Sequence, residues 1–165
     1  MIELTVFTDG ASKGNGKKNA VGGIGIYFPL YNMLNYSEKI TFETFNKPVT
    51  NNLTELLAIK KAIQITKSQF SSFKLEIYTD SQYCFNIFTS WAKKWEAKGW
   101  IKPDKKPISN LSLIKSIHKY NQKYDITYRH CNSHLTPPSN IETKEYKIWY
   151  GNDQADKLSN RDIFK

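Results

Sequence analysis

Cysteine is nearly absent. Cys84 and Cys131 are the whole complement in 165 residues, too few for a disulfide scaffold, so both read as free thiols. No apolar run approaches the ~20 residues of a membrane-crossing helix, and the opening stretch Met1 to Val6 has neither the basic nor the apolar region of a secretory leader. A soluble, cytoplasmic protein with no membrane attachment is expected. Internal repeats and linker-like stretches are missing as well, which leaves one domain over residues 1–165. Acidic residues are scarce beside basic ones: 15 Asp and Glu stand against 24 Lys and Arg, giving a formal charge of +9 and a pI near 9.4. That imbalance favours an anionic partner over a small neutral substrate.

What is present completes the picture. Hydrophobic residues make up 39% of the chain and aromatics 14%, enough to bury one core, which excludes the disordered and fibrous classes. The positive charge is concentrated. Eight lysines between Lys93 and Lys119 face only Glu96 and Asp104, so this stretch holds +6 of the +9, and Trp91, Trp95 and Trp100 lie in or beside it. A solvated helix face would mix lysines with acids and carry few large aromatics, so a surface for a polyanion is the better reading.

Residues 3–8 alternate β-branched and aromatic side chains and read as a strand ending at Asp9-Gly10. A loop of glycine, asparagine and lysine over 11–19 leads to a second strand at 21–28, and 35–45 supplies a third, completing an antiparallel meander. Helical spacing then begins after the capping sequence Thr50-Asn51-Asn52 and runs to about Ser68. Residues 74–78 and 125–129 are further strands; helices are expected from Asp80 or Ser81, over about 111–120, and over 151–159. The order βββαβα…αβα predicts an α/β fold: a five-stranded mixed sheet, an antiparallel meander plus two parallel strands, with helices on both faces.

Four acids fall at element ends or in helices: Asp9 and Asp80 after strands, Glu55 in the first turn of the first long helix, and Asp156 in the last helix. If the first and fourth strands are parallel neighbours, Asp9 and Asp80 sit side by side at the carboxyl edge, where ligands bind in such sheets. Any one of them alone reads as a surface acid or a cap. Together they repel, and such a cluster persists where hard divalent cations share it; oxygen-only ligands suit Mg²⁺ or Mn²⁺.

Several blocks are similar to the type 1 ribonuclease H family, in order and from Phe7 almost to the C-terminus. They are Phe7-Thr8-Asp9-Gly10, then Thr50-Asn51-Asn52 with Thr54-Glu55-Leu56, then Tyr78-Thr79-Asp80-Ser81-Gln82-Tyr83. The stretch from Trp91 to Lys106 resembles the family's basic protrusion, expected at about 91–110, and Gly151-Asn152-Asp153-Gln154-Ala155-Asp156 resembles its last motif. The resemblance implies a ribonuclease H-like fold and endonucleolytic hydrolysis of the RNA strand of RNA–DNA hybrids, with two Mg²⁺ ions, or Mn²⁺, per site and products bearing 5′-phosphate and 3′-hydroxyl ends. It makes Asp9, Glu55, Asp80 and Asp156 both metal ligands and catalytic residues. Asp9 would bridge the two ions, Asp156 would share the one that activates water, and Glu55 and Asp80 would hold the one at the leaving oxygen. Glu55 would also lie near a ribose 2′-hydroxyl.

For the nucleic acid, the resemblance assigns Thr50 and Asn110 to a phosphate pocket and Tyr83, Trp91 and Trp95 to a channel wall. Asn15, Asn51 and Asn52 would contact the minor groove; Gly10, Lys93, Lys94, Lys98, Trp100, Lys105 and Lys106 complete the expected contact set. His134 would assist proton transfer or product departure, although Ser133-His134-Leu135 replaces the family's glycine-flanked pattern and the loop over about 135–150 is enlarged. His130-Cys131-x-x-His134 also invites a zinc reading with Cys84, but no paired half-site accompanies it and a buried thiol is the plainer account of Cys84. A monomer with no obligate protein partner is expected. Two other readings stay open: a non-catalytic hybrid- or duplex-binding module, and a recombinase or junction nuclease of the same fold.

Overall fold

The computed structural model describes residues 1–45, 47–133 and 135–163, without the side chains of residues 44 and 45. Five strands form one sheet in the order β3-β2-β1-β4-β5: β1 Ile2–Lys13, β2 Val21–Tyr27, β3 Tyr36–Thr41, β4 Phe73–Thr79 and β5 Asp125–His130. The pairs β1·β2 and β2·β3 are antiparallel, and β1·β4 and β4·β5 are parallel. The expected mixed sheet is therefore what forms. The helices are α1 Phe42–Phe45, α2 Asn51–Gln69, α3 Gln82–Asn86, α4 Ala92–Ala97, α5 Leu111–Lys123 and α6 Lys144–Asn160, with a π turn Ile87–Trp91 joining α3 to α4. Among the described residues, no helix is long and apolar enough to cross a membrane.

Side-chain alternation along the strands divides the core into two layers. Val6 and Ile77, opposite each other in the β1·β4 register, pack with Leu56, Ile59 and Ile63 of α2, Ile87 of the π turn and Ile114 and Ile117 of α5. The next register pair, Phe7 and Tyr78, points to the other face, where the rings stack at 4.8 Å and Ala155 of α6 and Cys131 cover them. On that face α6 crosses β2 so closely that a Cβ on Gly25 would lie 2.2 Å from the Ala155 carbonyl oxygen, which only glycine permits.

Three boundaries depart from expectation. β1 does not end at Asp9-Gly10 but continues to Lys13, because β2 pairs with it up to Lys13↔Val21 while its parallel pairing with β4 stops at Thr8↔Thr79. β3 stops at Thr41 and gives way to a single helical turn at Phe42–Phe45. The last helix starts at Lys144 rather than Gly151, with the Thr143 side chain accepting from Tyr146 N at its N-terminus. Residues 144–150 of the expected loop are therefore the first turns of α6.

Candidate active site

Where β1 parts from β4, Asp9 is the next residue after the last parallel pair, and Asp80 directly follows β4. Glu55 reaches the same point from the buried stripe of α2, which it shares with Ile59, Ala62 and Thr66. A carboxylate on the face of a helix that otherwise buries apolar groups is costly and marks a functional position. One oxygen of each acid, Asp9, Glu55 and Asp80, lies within 4.8 Å of the others. Asp9 is 4% exposed and Glu55 7%.

Neighbouring groups fix these acids. Gly10 N–H donates to Asp9 Oδ1 at 3.0 Å and, in a very short contact, to Glu55 Oε1. That double role needs a glycine, since a Cβ at position 10 would lie 2.4 Å from the backbone of Thr54 and Glu55. Ser159 Oγ donates to Asp9 Oδ2 at 3.2 Å, and Thr79 Oγ1 to Glu55 Oε2 at 3.5 Å. Asp156, on α6, comes within hydrogen-bonding reach of Asp9, and Asn160 Nδ2 donates to Asp156 Oδ1 at 3.2 Å. All four expected acids therefore meet at one edge.

The electrostatics are those of crowded, buried negative charge. Burial, then the charges of Glu55 and Asp80 and contact with Asp156, hold the Asp9 carboxyl well above its usual range. Burial is also the main cause that pushes Glu55 up to about 7; Asp80 adds to it, and hydrogen bonds from Asp9, Gly10 and Thr79 oppose it. Asp9 and Glu55 are thus both held above the ordinary carboxylate range, chiefly by burial and then by the crowding of like charge. An all-oxygen donor set whose charges are unfavourable to one another is chemically suited to a hard divalent cation.

Beside the acids, Thr50 caps α2, its Oγ1 accepting from Leu53 N at 3.1 Å. Asn15 Oδ1 accepts from Asn51 N at 2.7 Å, and Asn51 Oδ1 accepts from Ser12 Oγ at 2.7 Å, which joins the β1–β2 turn to the start of α2, where Asn52 is also exposed. Tyr83, Trp91 and Trp95 line a depression of about 370 Å³ with Lys102, Ile108 and Ser109, and Asn110 hydrogen-bonds Tyr83 at its side. Lys93, Lys94, Lys98, Lys105 and Lys106, in the same stretch of chain, are exposed.

Trp100 does not line this depression: half-buried like Trp95 and packed on the same core, it stands edge-on to His118 at 5.5 Å and under Lys115 Nζ. His134 lies outside the described residues. Cys84 and Cys131 are buried in different core layers, and burial pushes both thiols up, Cys131 to about 12, so they are inert apolar fillers. Ser159 and Asn160 were missed in the sequence, although their i+3 and i+4 spacing from Asp156 on a helix was a usable signal.

The sequence profile of the RNase H family matches residues 2–164. Ribonuclease H of Cupriavidus metallidurans is 31% identical over 163 residues, covering 99% of this chain and 97% of the relative. A probable ribonuclease H of Acanthamoeba polyphaga mimivirus is 36% identical over 149 residues, covering 89% of this chain and 60% of that one. In fold, the chain is similar to LC9-RNase H1, described as a type 1 RNase H with the type 2 active-site motif, with a TM-score of 0.76 at 19% identity over 99% of this chain and 73% of that one. It is also similar to LC11-RNase H1 solved with an RNA/DNA hybrid, with a TM-score of 0.63 at 18% identity over 98% and 96% of the two chains. With a sheet of this order, four acids at its carboxyl edge, a family profile matched over residues 2–164 and a bacterial relative matched over 97% of its length, the chain belongs to the RNase H family.

Proposed function

We propose that the chain is an endoribonuclease that hydrolyses the RNA strand of RNA–DNA hybrids, leaving 5′-phosphate and 3′-hydroxyl ends. The observation that carries this reading is the convergence of Asp9, Glu55, Asp80 and Asp156 at one sheet edge beside an aromatic and lysine-rich surface. These four acids would hold two Mg²⁺ ions, with Mn²⁺ as a substitute. When bound, such ions neutralise phosphate charge and make water a nucleophile near neutral pH.

The chain's own residues do the rest. Ser159 and Gly10 N–H orient the Asp9 carboxylate, Asn160 orients Asp156, and Thr79 and Gly10 orient Glu55, so the ligand oxygens are placed before substrate arrives. Glu55 would also accept from a ribose 2′-hydroxyl, the group that separates RNA from DNA. The amides of Asn15, Asn51 and Asn52 would read the minor groove, Thr50 and Asn110 a phosphate, and Tyr83, Trp91 and Trp95 a deoxyribose track, with the exposed lysines neutralising phosphates along it. His134 would move a proton at the leaving or attacking oxygen. The enzyme would act in the cytoplasm as a monomer.

One assay tests the reading. Labelled hybrid, RNA duplex and DNA duplex are each incubated with Mg²⁺ and with EDTA, and the expected result is internal cleavage of RNA in the hybrid alone, with Mg²⁺ only. Binding without cleavage would mean a silent hybrid-binding module, and cleavage of DNA duplex or junctions would mean a different nuclease.

A further inference from the structure

Glu96 is out of place on electrostatic grounds. It lies in α4 among Lys93, Lys94 and Lys98, on a surface whose other charges attract a polyanion, so a negative charge there opposes binding. Its contacts explain it. Gln122 Nε2, from α5, donates to Glu96 Oε1 at 3.2 Å and to Oε2 at 3.3 Å. His118 Nε2, one turn earlier on α5, stands 3.3 Å from Glu96 Oε2. That nitrogen is buried and makes no hydrogen bond of its own, so the imidazole packs against the carboxylate without being satisfied by it.

The turn that follows α4 also needs support from outside. Trp100 has φ +65°, a left-handed conformation that a bulky residue adopts only under constraint. The same α5 face supplies that constraint: His118 meets the Trp100 ring edge-on at 5.5 Å and Lys115 Nζ sits 5.5 Å from its centre. Three successive turns of α5 thus hold two points of the protrusion, Glu96 and Trp100.

We infer that Glu96 is a positioning residue, the latch through which His118 and Gln122 of α5 fix the angle of the basic protrusion toward the hybrid. The inference rests on the reading of that protrusion as the hybrid-binding surface. It gives Glu96 a net favourable effect on binding despite its unfavourable charge, and this sets two predictions of opposite sign against each other.

The test is Glu96→Lys, alone and combined with His118→Glu. If charge alone governs, Glu96→Lys makes the protrusion more positive and lowers the hybrid KM. If the latch governs, the introduced ammonium can no longer accept the two hydrogen bonds from Gln122 Nε2, and KM rises about 3–5-fold with a smaller change in kcat. The double variant places a carboxylate against the new ammonium, so its KM falls back toward the parent value, short of it by what the lost imidazole edge on Trp100 contributed. Amide hydrogen exchange over residues 92–100 supplies a readout independent of substrate: faster in Glu96→Lys and in Glu96→Ala, restored in the double variant.

A fall in KM for Glu96→Lys, or unchanged exchange in both single variants, overturns the latch. Neutralising Lys93, Lys94 and Lys98 in parallel separates the two levels. An unaffected KM in that control would remove the binding surface assigned to the protrusion, while the exchange data would still decide whether Glu96 anchors α4.

Discussion

Glu55→Gln keeps the shape of the site and removes one buried charge. The oxygen of the new amide can still accept from Gly10 N–H, and its N–H₂ group faces Asp9 and Thr79, both able to accept. Glu55 is 7% exposed, and its carboxyl is carried from an ordinary 4.5 to about 7, chiefly by burial and then by the charge of Asp80. The folded state therefore holds the proton more tightly than the unfolded chain. The stability this confers is fully present below the unfolded value and is lost as pH rises to about 7. Above both values the metal-free fold carries a penalty of about 3 kcal/mol, at ~1.4 kcal/mol for each tenfold change in proton affinity. In a chain of this size that is worth ~6–12 °C in Tm.

In EDTA at pH 8, Glu55→Gln should melt higher than the parent by an amount of that order. At pH 5, where the parent's Glu55 is already protonated, the gap should shrink to less than ~1 kcal/mol. Mg²⁺ should raise the Tm of the parent more than that of the variant, and the variant should not cleave hybrid. Melts followed by circular dichroism at both pH values, with and without Mg²⁺, provide the measurement. An equal gap at pH 5 and pH 8, or a variant less stable than the parent at pH 8, would refute the idea that crowded negative charge strains this site.

Gly10→Ala forces a Cβ to within 2.4 Å of the α2 backbone at Thr54 and Glu55; it should cost about 3 kcal/mol of stability by chemical denaturation and lower kcat ~100-fold by displacing Glu55, and a variant of near-parent activity would count against the double anchoring by Gly10 N–H. Replacing Lys93, Lys94, Lys98, Lys105 and Lys106 with neutral residues should raise hybrid KM with little change in kcat, and flatten the slope of log affinity against log salt by up to ~4; an unchanged slope would move the binding surface elsewhere. A single ribonucleotide embedded in DNA should be cut poorly compared with six in a row, because the groove depends on several consecutive ribose contacts; equal rates would contradict the assigned role of Glu55.

Much of this protein was legible along the chain, because its signals are local. The change from two-residue to helical periodicity after Thr50-Asn51-Asn52 marks the meander and α2, and α2 does begin at Asn51 with Thr50 as its cap. The acids Asp9 and Asp80 stand at or near strand ends, which is enough to bring them together once β1 and β4 are parallel neighbours. The lysine and tryptophan cluster required only counting. Tertiary structure decided what depends on partners remote in sequence. β1 continues past Asp9 because β2 supplies hydrogen bonds that parallel pairing with β4 no longer does. Trp100, alike in sequence context to Trp91 and Trp95, packs against α5 at His118 and Lys115 and not in the depression that those two line. Ser159 reaches Asp9 across 150 positions of sequence because glycines in β2 let α6 lie close on the sheet. Residue type and period determine which elements form and which groups carry charge; which of those groups are buried, paired or turned outward is set by the packing of one layer on another, which no local pattern encodes.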